Sequence, residues 1–189
     1  VALAPKAEFV MGRSELGLGL YYRADRAPRA MATLSTSVGP LAVFSELVVG
    51  KGSDKRFVRE TTPSPGNPLG LETYTDDETL FVHATAGARY TYSDPDGRFT
   101  LTAAGQYYVN GEGYEPAFLE EHGLKLPVLL LGGELRATDV QWPGRHYGAL
   151  LVGGSHQHLR DLNANALWLG SLSDGSGMVN VSLAYGGWK

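Results

Sequence analysis

The chain has 189 residues, a formal net charge of -4, 43% hydrophobic residues and no cysteine. That length suits one domain with a substantial core. Interspersed acidic and basic residues leave no cationic tract for nucleic acid, and the lack of cysteine removes disulfides, thiolate metal sites and cysteine nucleophiles together.

No segment reads as a membrane helix: the apolar stretch over 126–131 carries Pro127 and falls far short of the roughly 20 residues required. The opening Val-Ala-Leu-Ala-Pro has neither the basic start nor the cleavage site of a signal peptide. Glycine is abundant, with 25 residues, and its spread without a G-X-Y period suits turns and close strand contacts.

Taken in order, the segments repeat a period of two. Leu16, Leu18, Leu20 and Tyr22 alternate with Glu15, Gly17, Gly19, Tyr21 and Arg23, the pattern of a strand with one apolar and one polar face. In the next segments Leu34 and Val38 oppose Thr33, Ser35 and Ser37, and a less regular stretch follows from Leu41 to Gly50. Leu80, Val82, Ala84, Ala86, Ala88, Tyr90 and Tyr92 then oppose Phe81, His83, Thr85, Gly87, Arg89 and Thr91. Phe99, Leu101, Ala103, Tyr107 and Val109 oppose Thr100, Thr102, Gln106 and Asn110. A second irregular stretch runs from Tyr147 to Gln157. Trp168 joins Leu162, Ala164 and Ala166 opposite Asn163, Asn165 and Ser171, and Val179, Val181, Leu183 and Tyr185 oppose Asn180, Ser182 and Ala184. Eight strands are predicted, near 8–23, 30–38, 41–51, 79–93, 98–111, 146–158, 162–172 and 177–186; the one plausible helix, 115–124, sits inside a connection.

The connections sort by parity. If successive strands are antiparallel, Gly39-Pro40, Asp94-Pro95-Asp96-Gly97 and Leu159-Arg160-Asp161 lie at one tight end. The long connections 52–78 and 112–145 both lie at the other. Short turns at one end and long loops at the other are the habit of outer-membrane barrels, and an even strand number places both chain ends on the tight, periplasmic side. Aromatic residues cluster at strand ends, where rings prefer the membrane-water boundary: Tyr21, Tyr22, Tyr107, Tyr108 and Tyr147 toward the long loops, Tyr90, Tyr92, Phe99, Tyr185 and Trp188 toward the tight end.

Ser14-Glu-Leu-Gly-Leu, Gly50-Lys-Gly-Ser-Asp, Tyr107-Tyr-Val-Asn-Gly-Glu-Gly-Tyr and Leu172-Ser-Asp-Gly-Ser-Gly resemble segments of poorly characterised bacterial porin-like outer-membrane proteins. The resemblance implies an all-β fold, an antiparallel up-and-down transmembrane β-barrel, and carries no functional residue with it. Members of such families are usually longer than 189 residues, so this chain is expected to be one barrel domain or a segment of a larger barrel.

Chemistry-bearing motifs are sparse. His146, His156 and His158 could ligate a transition metal, but no further ligand at useful spacing accompanies them and no metal or other cofactor is assigned. Asp94-Pro-Asp-Gly and Ser173-Asp-Gly-Ser lack the acidic continuation of a calcium loop and read as turns. There is no Gly-x-Ser-x-Gly, phosphate-binding loop or His-Glu-x-x-His, so an enzyme is not expected. The apolar connection 112–145 needs cover: folding over the mouth of the barrel is the first expectation, with folding into the lumen as a constriction or packing on a partner as the others.

The expected function is a passive outer-membrane channel for small polar solutes or ions, lined by Glu15, Arg23, Glu46, His83, Arg89 and Gln106. Outer-membrane lipid is the expected surrounding, and a protein partner or second copy is compatible with it. Two other readings remain: a non-conducting docking barrel that binds a partner, and a soluble lipocalin-like barrel, in which the apolar face would point inward.

Overall fold

The computed structural model describes residues 1–156 and 162–186. One large antiparallel sheet holds β1 (Ala2–Leu3), β2 (Lys6–Met11), β3 (Ser14–Arg23), β4 (Arg26–Val38) and β5 (Leu41–Lys51). It continues through β8 (Leu80–Ser93), β9 (Phe99–Asn110), β10 (His146–His156), β11 (Leu162–Ser171) and β12 (Gly177–Ala184). Each long strand pairs with the next, so the sheet is an up-and-down meander. The hairpin β6 (Arg56–Glu60) and β7 (Leu71–Thr75) forms a separate two-stranded sheet inside the first long connection.

The N-terminal segment differs from its sequence reading. What reads as one strand over 8–23 is a hairpin: β2 and β3 pair from Lys6↔Gly19 to Met11↔Ser14, around Gly12 at φ 63°. A positive φ at the first central residue belongs to the primed turns that match strand twist, and glycine adopts it without steric cost. β1 extends the same edge, pairing Ala2 with Arg23.

The path across the sheet therefore has nine positions rather than eight. Residue 1 lies beside the Ala24 turn, with Ala24 N–H donating to the Val1 carbonyl at 3.4 Å. The N-terminal strand thus starts at the long-loop end, not at the tight end as an even count requires. The two outer strands, β2 and β12, run in the same direction. Among the described residues, β12 pairs only with β11 and the far edge of β2 has no partner. Among the described residues the sheet is open at both edges, so it does not close into the complete barrel that was one of the two expectations, the other being a segment of a larger barrel.

Pairing fixes the faces, because residues directly opposite one another share a face. Leu18, Ala32, Leu47, Ala84 and Val109 form one row. Tyr90, Ala103, Val152, Ala166 and Val181 form another on the same side. This face carries leucine, valine, alanine and tyrosine from one edge to the other. The opposite face carries Glu15, Ser35, Phe44, Gly87, Gln106 and Ala149 in one row and Glu8, Gly17, Thr33, Glu46, Thr85 and Tyr108 in the next.

The buried apolar cluster is not within the sheet. It is a cap built from the two long connections, in which Val58 and Leu71 of the hairpin pack with Leu119, Leu126, Leu129 and Leu135. The latter lie on or beside α1 (Pro116–His122) and α2 (Leu126–Leu131); a short α3 (Ala137–Val140) follows. The expected helix 115–124 is present as α1, ending at His122 and continuing as a 3-10 turn over Gly123–Lys125. Proline in the first turn of α1 and of α2 suits positions whose N–H groups have no intrahelical acceptor. Phe57 stacks on Phe81 at 5.4 Å between ring centroids. Phe81 pairs with Gly50 on the polar face, so the cap sits over that face, at the long-loop end.

Candidate functional site

Between the cap and the polar face lies a cavity of about 300 Å³ lined by Arg29, Glu46, Lys55, His83, Thr85, Tyr108, Asn110, Glu112, Thr138 and Trp142. The sheet half follows from register: Glu46 faces Thr85 and Thr85 faces Tyr108, while one row nearer the cap His83 faces Asn110. The cap half comes from both connections, with Lys55 from the first and Glu112, Thr138 and Trp142 from the second.

Asn110 is the pivot of this arrangement. It is 4% exposed, and its Nδ2 donates to the Trp142 carbonyl at 2.9 Å and to the Gly144 carbonyl at 3.2 Å, while its Oδ1 accepts from Glu112 N–H. A single amide thus satisfies both the departing and the returning ends of the long connection. The same approach brings Gly113 against Gly144 so closely that a Cβ at 113 would collide with the backbone of Gly144.

The cavity holds charges of both signs. Lys55 Nζ donates to the Glu112 carbonyl at 2.9 Å and lies over the rings of Tyr114 and Phe57. Burial pushes its ammonium below the ordinary lysine value despite the nearby Glu112 and Asp139 carboxylates. Glu112 Oε2 is 3.9 Å from His83 Nε2, and His83 Nδ1 hydrogen-bonds the Tyr108 hydroxyl at 3.2 Å. Arg29 reaches Asp54 at 3.6 Å. Glu46 makes no ion pair or side-chain hydrogen bond among the described residues. The site therefore brings the Glu46 and Glu112 carboxylates together with the Lys55 ammonium and the Arg29 guanidinium, with Val48 and Trp142 as its apolar lining.

Buried polar contacts tie the cap together. Val58 N–H donates to the Tyr114 hydroxyl at 2.8 Å, and burial pushes that phenol up to about 12. Asp139, 2% exposed, accepts from Arg136 Nε and Nη2 and from the backbone N–H groups of Arg136 and Arg56. Burial alone would raise its carboxyl; those donors outweigh burial and hold it below the usual carboxylate range.

The residues predicted to line a lumen distribute as follows. Glu15, Glu46, His83, Arg89 and Gln106 all lie on the polar face, and Glu15 and Gln106 share a row. Only Glu46 and His83 reach the cavity. Arg89 stands toward the tight end opposite Ala42 and Ala104. Arg23 lies beyond a register shift at the end of β3, ion-paired with exposed Asp25 at 2.6 Å. Lys55, Asn110, Glu112 and Trp142 are not among the sequence-predicted residues.

The strand-end aromatics divide between the two faces. Tyr22 and Tyr107 at the long-loop end, and Tyr90, Tyr92 and Phe99 at the tight end, lie on the apolar face, and exposed Tyr185 follows directly on β12. Tyr21, Tyr108 and Tyr147 lie on the polar face; Tyr108 lines the cavity and stacks on Tyr147 at 6.1 Å. Trp188 and His158 lie outside the described residues, as does the turn at 159–161. His146 and His156 stand at opposite ends of β10, so they do not form a cluster; His146 Nδ1 hydrogen-bonds the Tyr107 hydroxyl at 2.7 Å.

Comparison with models of known protein families, with curated proteins and with solved structures gave no match.

Proposed function

We propose that the sheet forms part of the wall of an outer-membrane β-barrel and that the capped polar face lines a channel for small polar solutes or ions. The observation that carries this is the apolar face. Its side chains stand open in the structure, among them Leu20 at 58%, Leu150 at 57%, Val152 at 52% and Val181 at 73% exposure. Total accessible surface is 12357 Å², against roughly 8,800 Å² for a compact protein of this mass. An apolar surface spanning a whole sheet far exceeds the few hundred Å² tolerated in water, and hydrocarbon is the solvent that suits it.

Orientation supports the same reading. A lipocalin-like barrel folds its apolar face inward, whereas this chain places its loops and its charged residues over the polar face. Spanning lipid also requires the free edges of β2 and β12 to be hydrogen-bonded. Because these edges run in the same direction, antiparallel closure takes an odd number of further strands, which brings the total to the even count of bacterial barrels.

Conductance in planar bilayers tests the function. Glu46→Lys should shift ion selectivity toward anions, and Lys55→Glu toward cations. The docking reading draws support from the cap that lies over the polar face; a correctly inserted wild-type protein that never conducts would favour it over the channel.

A further inference from the structure

We propose that Glu60, Glu121 and His122 form a binding site for a divalent transition-metal ion that ties the two long connections of the cap together. One ligand atom from each of the three lies within 4.8 Å of the others. Glu60 ends β6 in the first connection, and Glu121 and His122 close α1 in the second.

The imidazole is what points to a ligand. His122 is 4% exposed, and its Nε2 is buried with no hydrogen-bond partner. Yet Glu60 Oε1 stands 3.0 Å from that nitrogen and Glu121 Oε1 3.8 Å, both outside hydrogen-bonding geometry. A buried polar atom rarely goes unsatisfied. Here it is aimed between two largely exposed carboxylates, which leaves room for water to complete a coordination shell. One imidazole with two carboxylates suits zinc and neighbouring first-row cations better than calcium or magnesium, which take oxygen ligands.

The tautomer sharpens the inference. Lys125 Nζ lies 3.0 Å from His122 Nδ1. An ammonium can only donate, so this contact is made only by a ring whose Nδ1 accepts and whose proton sits on Nε2. Metal binding replaces that proton: Nε2 bonds the metal, the ring proton is carried by Nδ1, and Lys125 turns away because it cannot accept. Lys125 is therefore a built-in competitor, and its loss should tighten the site.

The proposal concerns the cap alone and does not rest on the membrane reading. Its test is a titration of the purified 189-residue chain with Co²⁺, followed by visible absorption, then displacement by Zn²⁺. The expected result is a saturable set of cobalt bands, removed by zinc. Glu60→Gln and His122→Gln should each weaken binding by more than the 10- to 100-fold typical of losing an outer-shell partner, and Lys125→Met should strengthen it. Glu60 is exposed, so its substitution leaves the cap packing intact and keeps the test meaningful if the His122 variant misfolds. Absence of cobalt binding, or binding that both glutamine variants leave unchanged, would overturn the proposal. Binding no tighter in Lys125→Met would also count against it.

Discussion

Val152→Arg separates a lipid-facing sheet from a water-facing one by the sign and size of its effect. Val152 pairs with Ala103 on one side and Ala166 on the other. It sits midway along β10 between the row of Tyr107 and Gly148 and the row of Phe99 and His156. The eight residue steps from Phe99 to Tyr107 cover roughly 27 Å along the strand. A tilt of about 40° reduces that to about 20 Å, comparable to the ~25 Å apolar band of an outer-membrane barrel. Val152 is then close to the bilayer midplane, where arginine costs about 2–4 kcal/mol, roughly a 30- to 700-fold change in the folding equilibrium. If the same face met water, a residue already 52% exposed would tolerate arginine within about 0.5 kcal/mol. Ser182→Arg, one row away on the polar face and also exposed, is the control and should cost less than 1 kcal/mol on either account. The assay is urea-dependent folding into lipid vesicles. Equal, small effects for the two variants would refute the assignment of the apolar face to lipid.

Three further outcomes concern the cap. Leu129→Ala, at a position 2% exposed, should cost about 2–5 kcal/mol and appear as faster proteolysis within 112–145 while the sheet remains protected. Gly113→Ala should cost about 1–3 kcal/mol by overpacking, because the atoms it meets are the backbone of Gly144 and cannot rotate away; a stability equal to wild type would show that the return of the connection is looser than described. Asp139 has a lowered folded-state carboxyl value, so its contribution is fully present above the ordinary value near 3.9 and is lost as pH falls through the lower folded value. Cap protection should therefore drop in that acid range, and Asp139→Asn should abolish this component and weaken the cap by roughly 1.5 kcal/mol or more at neutral pH.

Strand periodicity carried most of the sheet into view from sequence, because each strand has one apolar face and an alternation of two is all that such a face requires. The N-terminal hairpin was the exception. Its apolar residues are Ala7, Phe9 and Met11 before the turn and Leu16, Leu18 and Leu20 after it, a switch from odd to even positions that marks a two-residue turn at Gly12-Arg13. Reading through that switch cost one strand and reversed the expected location of the first residues.

Of the cap, the sequence shows the helix near 115–124, present as α1, and an apolar connection that needs cover. β6 and β7 pair across a proline-rich stretch, and consecutive Phe57 and Val58 are both buried, so alternation fails there. The six-residue α2 is too short to form without its neighbours. The charges at the cavity show the same limit. Glu46 and His83 follow from strand parity, whereas Lys55, Glu112 and Trp142 arrive from connections whose paths no local pattern specifies. Asn110 stands at the end of β9 before Gly-Glu-Gly, a turn-like signal for an amide that fixes two backbone segments.

The most direct test of the lipid-facing sheet uses the absence of cysteine, which makes every single-cysteine variant carry one label. A scan along β10 in lipid vesicles should alternate residue by residue. Labels at 148, 150, 152 and 154 should be reached by a membrane-confined quencher, and thiols at 149, 151, 153 and 155 by a water-soluble maleimide or shielded beneath the cap. Uniform access from water along both sets, with no period of two, would contradict the account.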